Sequence, residues 1–155
     1  MASPFNWIFG VSAVAFNLLI AGIFIATRYG RMQAVRKIGS GIVALGIPFG
    51  FVLAHTLMTG NNLYVRVALA VVLAYILSEL VMDFILKYDF RAKWTTHVPY
   101  ILLEYAAFIG LIYVAFTISE YWGWAVSVTF WVAMGALIYY FKGKKKDKQK
   151  NKKKR

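Results

Sequence analysis

Long stretches without a charged residue constrain this chain more than any other feature of its sequence. No Asp, Glu, Lys or Arg occurs from Met1 to Thr27, and none occurs from Ile38 to Val65. A helix of about 20 apolar residues crosses the roughly 30 Å hydrocarbon core of a bilayer. The strands of membrane barrels instead alternate in hydrophobicity over about ten residues. These uninterrupted runs therefore predict membrane-spanning helices.

The composition points to the same class and excludes several others. Apolar residues make up 61% of the 155 residues, charged residues make up 15%, and the mean hydropathy is +0.62. A soluble domain is nearer about half apolar and about a quarter charged. Because the chain has no cysteine, disulfide scaffolds, thiolate catalysis and Cys-ligated zinc or iron–sulfur clusters are excluded.

Five spans and a tail account for the chain. The predicted fold class is an all-α integral membrane protein, with residues 1–141 forming one five-helix transmembrane domain and residues 142–155 forming a disordered polybasic tail. The spans are predicted over residues 5–27, 39–59, 63–86, 98–118 and 121–141. Residues 28–38 are expected to form a short interfacial helix.

Basic residues predict the orientation. With five spans, the Lys and Arg residues of the first and third connections fall on the same side as the tail, opposite Arg66. Basic residues in short loops stay in the cytoplasm. We therefore expect a multi-pass protein of the cytoplasmic (plasma) membrane, with its N-terminus outside and its C-terminus cytoplasmic. A four- or six-span count would scatter these charges onto both faces.

The tail carries most of the net charge of +12. Near an anionic bilayer surface each basic residue contributes about 1 kcal/mol of binding. Anionic lipid headgroups are therefore the predicted partner, with an acidic partner chain as the alternative. The tail has no aromatic residue to stack on bases, so nucleic acid is not expected. The predicted headgroup contacts are Lys142, Lys144, Lys145, Lys146, Lys148, Lys150, Lys152, Lys153, Lys154 and Arg155.

Ionisable residues inside the predicted spans are candidate functional residues. Glu79 and Asp83 lie four residues apart and share one face of the third span. His97, Tyr100 and Glu104 are spaced to share one face of the fourth span. Because the connection between these spans is short, we expect them to be antiparallel neighbours with both glutamates at a similar depth.

Three hypotheses explain this cluster. An acid at the centre of a spanning helix costs about 2.5–3.5 kcal/mol on insertion scales, so the acids should face the bundle and not the lipid. They could form ion pairs with Lys87, Arg91, Lys93 or His97 and lock the two helices together. They could instead bind a proton or a cation, since burial favours the neutral form of a carboxyl group. A third hypothesis makes them the acid and base of a lipid enzyme.

Other polar and small residues predict helix packing. Asn17 lies in the middle of the first span, where its amide is expected to bond to a neighbouring helix. Pro48 should kink the second span, and the flanking Gly46 and Gly50 should permit close approach of another helix. His55 stands apart from the acids and is expected to be a packing residue.

These features favour a small membrane subunit or scaffold that acts through partner chains. The alternatives are an oligomeric proton- or cation-linked transporter and a small membrane enzyme acting on a lipid. The sequence contains no HExxH, Walker or DxD motif, so it does not predict a cofactor, a metal site or a particular reaction. Five helices enclose little volume, and the expected protein partners are copies of the chain or other membrane subunits.

Overall fold

The computed structural model describes residues 4–60, 62–81 and 94–153, with side chains over 4–60, 62–81 and 99–143. Every regular element in these residues is a helix. The helices are α1 (Pro4–Arg28), α2 (Met32–Ala44), α3 (Gly46–Met58), α4 (Leu63–Glu79), α5 (Trp94–Ile118) and α6 (Glu120–Lys153).

Four stretches of the described chain are helical, long and apolar enough to cross a membrane. They are Pro4–Arg28, Met32–Met58 (which joins α2 and α3), Pro99–Ile118 and Glu120–Gly143. With α4, whose 17 residues rise about 25 Å, the described residues contain five helical rods, the number that the sequence predicts.

Short connections reverse the chain between the rods. After α1, Gly30 adopts a φ of +67°, which glycine reaches without the steric penalty of a side chain. The Gly30 N–H donates to the Thr27 carbonyl and the Arg31 N–H to the Ala26 carbonyl, so these two carbonyls in the last turn of α1 are satisfied. Between α5 and α6 only Ser119 intervenes, and its hydroxyl accepts from the Trp122 N–H at 3.3 Å.

The second rod differs from its predicted bounds. Helix begins at Met32, inside the segment 28–38 that is predicted as a separate interfacial helix, and it continues into the span predicted from Gly39. Val35 packs into the bundle there while Arg36 and Lys37 stay exposed. The rod breaks at Leu45, between α2 and α3. Pro48 explains the break, since its ring clashes with the carbonyl four residues earlier and it has no N–H to donate there.

The basic tail also differs from its prediction. Helix α6 continues to Lys153, whereas the sequence predicts disorder from residue 142. Extending an existing helix avoids the unfavourable nucleation step, and lysine and glutamine are good helix formers. Helical backbone thus runs beyond the apolar part of α6, and Lys154 and Arg155 lie outside the described residues.

Helix α1 is the central element of the bundle and contacts α2, α3, α5 and α6. Phe16 is fully buried on this helix, and its ring meets three others edge-on. The ring centroids are 6.3 Å from Phe49 on α3, 5.6 Å from Tyr75 on α4 and 5.9 Å from Phe108 on α5. These contacts join four helices at one level, directly beside the polar cluster described next.

Candidate functional site

Among the described residues, Glu79 is the acid that is buried. It is the last residue of α4 and is 2% exposed. Tyr75 lies one turn earlier on the same face, and its hydroxyl donates to Glu79 Oε1 at 3.0 Å. The helix widens into a π turn at residues 80 and 81, directly after the glutamate. Burial of the carboxyl group is therefore accompanied by a hydrogen bond from its own helix.

Helix α5 supplies a second phenol to the same oxygen. Tyr100 donates from its hydroxyl to Glu79 Oε1, and its oxygen is 2.9 Å from the Tyr75 hydroxyl oxygen. Glu79 Oε1 and the two hydroxyl oxygens thus form a triangle, which we call the Glu79 triangle. It joins α4 to α5 inside the bundle.

The two helices are antiparallel, as the short connection predicts. At one end Tyr100 reaches Glu79. At the other end a Cβ atom on Gly110 would lie 3.3 Å from the Ala68 carbonyl oxygen. Glu104 lies one turn after Tyr100 on α5, is half-buried, and lines the same cavity as Glu79. The two glutamates therefore lie on the wall of one cavity.

The cavity beside the Glu79 triangle has a volume of about 240 Å³ and is enclosed by α1, α4, α5 and α6. Its described walls include four tyrosines, Tyr75, Tyr100, Tyr105 and Tyr140. Three phenylalanines, Phe24, Phe108 and Phe141, and several aliphatic side chains complete the apolar surface. Since Tyr105 and Phe141 are also exposed on the outer surface, the cavity wall reaches the outside between α5 and α6.

Part of the predicted cluster lies outside the described residues. Asp83 is among them, as are the candidate partners Lys87, Arg91 and Lys93. The side chain of His97 is likewise outside the described part, although its backbone belongs to α5. Of the predicted site, the structure therefore brings together Glu79, Tyr100 and Glu104.

Asn17 forms a polar contact between α1 and α6. Its Nδ2 atom donates to the Val126 carbonyl and to the Thr129 hydroxyl, both at 3.0 Å, and the side chain is fully buried. The Oδ1 atom is buried as well and has no hydrogen-bond partner among the described residues. The predicted interhelical amide contact is thus made to α6.

The predicted packing glycines divide into one that packs and one that does not. A Cβ atom on Gly46 would lie 3.3 Å from Cγ2 of Ile76 on α4, so the close approach is real there. Around Gly50 no atom of another helix in the described chain lies within 4 Å of such a Cβ, so the predicted close approach is not made there within this chain. Because Phe49 points into the core, the next residue, Gly50, lies on a different side of α3. His55 stacks on Phe5 with ring centroids 3.5 Å apart, a packing role.

Sequence reasoning missed a cluster at the basic end of the bundle. The Arg28 guanidinium lies 3.4 Å from the centre of the Tyr139 ring and donates to the Tyr139 carbonyl. Tyr29 adds a hydroxyl–hydroxyl contact of 3.2 Å to Tyr139, and this hydrogen bond raises the pKa of Tyr29 above its ordinary value of 10.0. The cluster fastens the end of α1 to α6 beside the cavity. An Arg–Tyr pair so far apart in sequence leaves no local signal.

Comparison with protein-family models, with curated proteins and with solved structures gives no significant match for this chain.

Proposed function

We propose that this chain is a multi-pass membrane protein in which Glu79 takes up and releases a proton, and that this event serves proton- or cation-linked transport. The observation that carries the proposal is the Glu79 triangle. The three oxygens form three pairs, and each pair needs one proton to form a hydrogen bond. The two phenols supply only two protons. A proton on Glu79 lets all three pairs hold a hydrogen bond at once, which gives an additional proton a defined place.

Two opposing influences support a group that changes its protonation state. Burial at 2% exposure disfavours the charged carboxylate, because a charge loses its hydration in an apolar interior. Hydrogen bonds from Tyr75 and Tyr100 favour the same charged form. A carboxyl group under both influences is suited to exchange a proton during a working cycle.

Several titratable groups face this proton site. On the described elements they are Tyr75 of α4, Tyr100, Glu104 and Tyr105 of α5, and Tyr140 of α6. Asp83, Lys87, Arg91, Lys93 and the His97 side chain lie outside the described part.

The proposed orientation puts the cavity in the cytoplasmic half of the bilayer. The cavity is lined by Thr27 and Phe141, next to the basic residues Arg28 and Lys142. Basic residues near membrane helices remain on the cytoplasmic side. The N-terminus of the chain is then outside, and the tail lies at the anionic headgroups of the plasma membrane.

Five helices enclose little volume, so we propose that transport requires an assembly of copies or of partner subunits. A membrane subunit or scaffold is the second candidate function, and α6 favours it. Only 11% of its apolar window is buried, compared with 50% for α1. On the open face Trp131 is 70% exposed, and a Cβ atom on Gly135 would meet no atom within 4 Å. Such a face can accept another helix closely.

Proton flux into vesicles tests the proposed function. The purified protein is reconstituted into vesicles that contain a pH-sensitive dye, and a potassium diffusion potential drives proton entry. We expect Glu79→Gln to reduce the initial rate to that of protein-free vesicles. The matched control is Glu120→Gln, which removes an exposed carboxylate at the start of α6 and should retain the wild-type rate.

Two results would overturn the transport proposal. One is a wild-type rate no higher than that of protein-free vesicles. The other is a Glu79→Gln variant that carries protons as fast as the wild type. The subunit candidate is tested separately by the native mass after gentle extraction, since it requires a second chain at fixed stoichiometry. Lipid enzymology stays a prediction of the sequence.

A further inference from the structure

We propose that the cavity between α1, α4, α5 and α6 binds a small organic cation, an amine or quaternary ammonium with an apolar body. Glu104 supplies the negative charge, Glu79 lines the same cavity, and the surrounding aromatic rings enclose the bound cation. The assignment deepens the proposed function, and it rests on that function for the link between cation binding and the Glu79 proton.

The wall chemistry supports a cation. The described residues that line the cavity include two carboxyl groups and no Lys, Arg or His side chain. They also include seven aromatic rings, and the Phe24 and Tyr140 rings stand 6.3 Å apart. Aromatic faces attract cations and form the cages that recognise quaternary ammonium groups. Carboxyl groups among aromatic rings therefore fit an organic cation better than an anion or a neutral lipid tail.

The same residues are a poor donor set for a metal ion. Calcium is held by about six to eight oxygens and magnesium by about six. Among the described residues, no third His, Asp or Glu joins Glu79 and Glu104 in a group that could hold a metal. Most of the lining atoms belong instead to rings and aliphatic chains, which offer contacts to a carbon-rich ligand.

The volume and position of the cavity limit the ligand further. Drug-sized ligands occupy pockets of roughly 300–1,000 Å³, so about 240 Å³ suits a smaller molecule, such as an ammonium group carrying one ring or a short chain. The exposed Tyr105 and Phe141 bring the wall to the bundle surface between α5 and α6. In a membrane, that surface meets lipid, and an amphiphilic cation can reach the site from the bilayer.

Binding of benzyltrimethylammonium to the full chain tests the assignment. The protein is placed in nanodiscs of phosphatidylglycerol alone, which contain no amine headgroup, and affinity is measured by isothermal titration calorimetry. We expect Glu104→Gln to weaken binding roughly 30-fold, as for loss of one partner of a buried charge pair. Phe24→Leu keeps the apolar volume but removes a ring, and should weaken binding about fivefold.

Matched controls remove the same chemistry outside the cavity. Glu120→Gln and Tyr121→Leu alter an exposed acid and an exposed ring at the start of α6, and both should bind as the wild type does. If Glu104→Gln fails to fold, Tyr105→Leu removes a cavity ring at a partly exposed position and is expected to weaken binding about fivefold. Absence of binding to the wild type, or equal affinity in the cavity variants and the controls, would overturn the assignment.

A second arm distinguishes two sources of the ligand. Adding phosphatidylcholine to the nanodiscs competes with the probe if the natural ligand is a lipid headgroup, and leaves its affinity unchanged if the ligand is a free cation. Both results keep the organic-cation site. Failure of the probe to bind while proton flux still depends on Glu79 removes the cation assignment alone, whereas binding without Glu79-dependent flux removes the transport proposal alone.

Discussion

At the residue scale, two phenols set the environment of the buried acid. The spacing of Tyr75 and Glu79 predicts that they share a helix face, and their 3.0 Å hydrogen bond agrees with it. The spacing of Tyr100 and Glu104 likewise predicts a shared face. That Tyr100 reaches across to Glu79 depends on how α5 is rotated against α4, which no local pattern contains. The contact between Arg28 on α1 and Tyr139 on α6 likewise depends on how two helices pack, and no local sequence pattern predicts it.

The bond from Tyr100 yields a prediction at this scale. Tyr100→Phe keeps the ring and removes one donor to Glu79, so we expect the free energy of unfolding to fall by about 0.6–1.7 kcal/mol, the range for interhelical hydrogen bonds in membranes. Unfolding in mixed micelles of increasing dodecyl sulfate fraction measures it. Tyr113→Phe, an exposed position on the same helix, is the control. Equal stability of the two variants would contradict a contribution from the triangle.

At the element scale, the uncharged runs of sequence predict where the rods lie better than where they end. Helix α1 (Pro4–Arg28) matches its predicted span of 5–27 to within a residue at each end. The second rod joins the predicted interfacial helix to the predicted span, because the amphipathic turn that buries Val35 runs directly into the apolar stretch. The helical tail was missed for a related reason, since composition alone predicts disorder and does not register the helix that precedes it.

Contact between α1 and α6 gives a prediction at this scale. A Cβ atom on Gly10 would overlap the Trp122 ring, so Gly10→Ala must displace a large buried side chain. We expect it to lower the free energy of unfolding by about 1–3 kcal/mol, the usual cost of overpacking. Gly135→Ala, whose Cβ meets open space on α6, should cause no loss in the same micelle assay. Alanine is the better helix former, so the control should if anything gain stability, and equal losses in the two variants would contradict a specific cost of the Trp122 contact.

At the scale of the whole molecule, the asymmetric distribution of basic residues predicts the orientation proposed above. The basic residues next to α1 and α6 lie at the end of the bundle that holds the cavity. Fold class follows from hydropathy, because four of the described rods are long and apolar enough to cross a membrane by themselves. The cavity does not follow from it, since four helices enclose it and its shape depends on their mutual packing.

The absence of cysteine allows a direct test of the orientation. Single cysteines are introduced as Asn62→Cys, between α3 and α4, and as Lys142→Cys, beyond the apolar part of α6. In intact cells a membrane-impermeant maleimide should label the first variant, and it should label the second only after permeabilisation. The reverse pattern would invert the topology. Labelling of both variants in intact cells would contradict an odd number of spans between positions 62 and 142.

Protonation of Glu79 is the central claim, and difference infrared spectroscopy tests it most directly. Spectra of the protein in lipid are recorded as the pH is stepped from alkaline to acidic, and the carbonyl stretch of a protonated carboxyl group is followed. We expect a band that appears in the wild type, is absent from Glu79→Gln and persists in Glu120→Gln. Tyr100→Phe should shift this band, because its frequency reports hydrogen bonding to the carboxyl group. A band unchanged in Glu79→Gln, or no titrating carboxyl band in the wild type, would contradict the account.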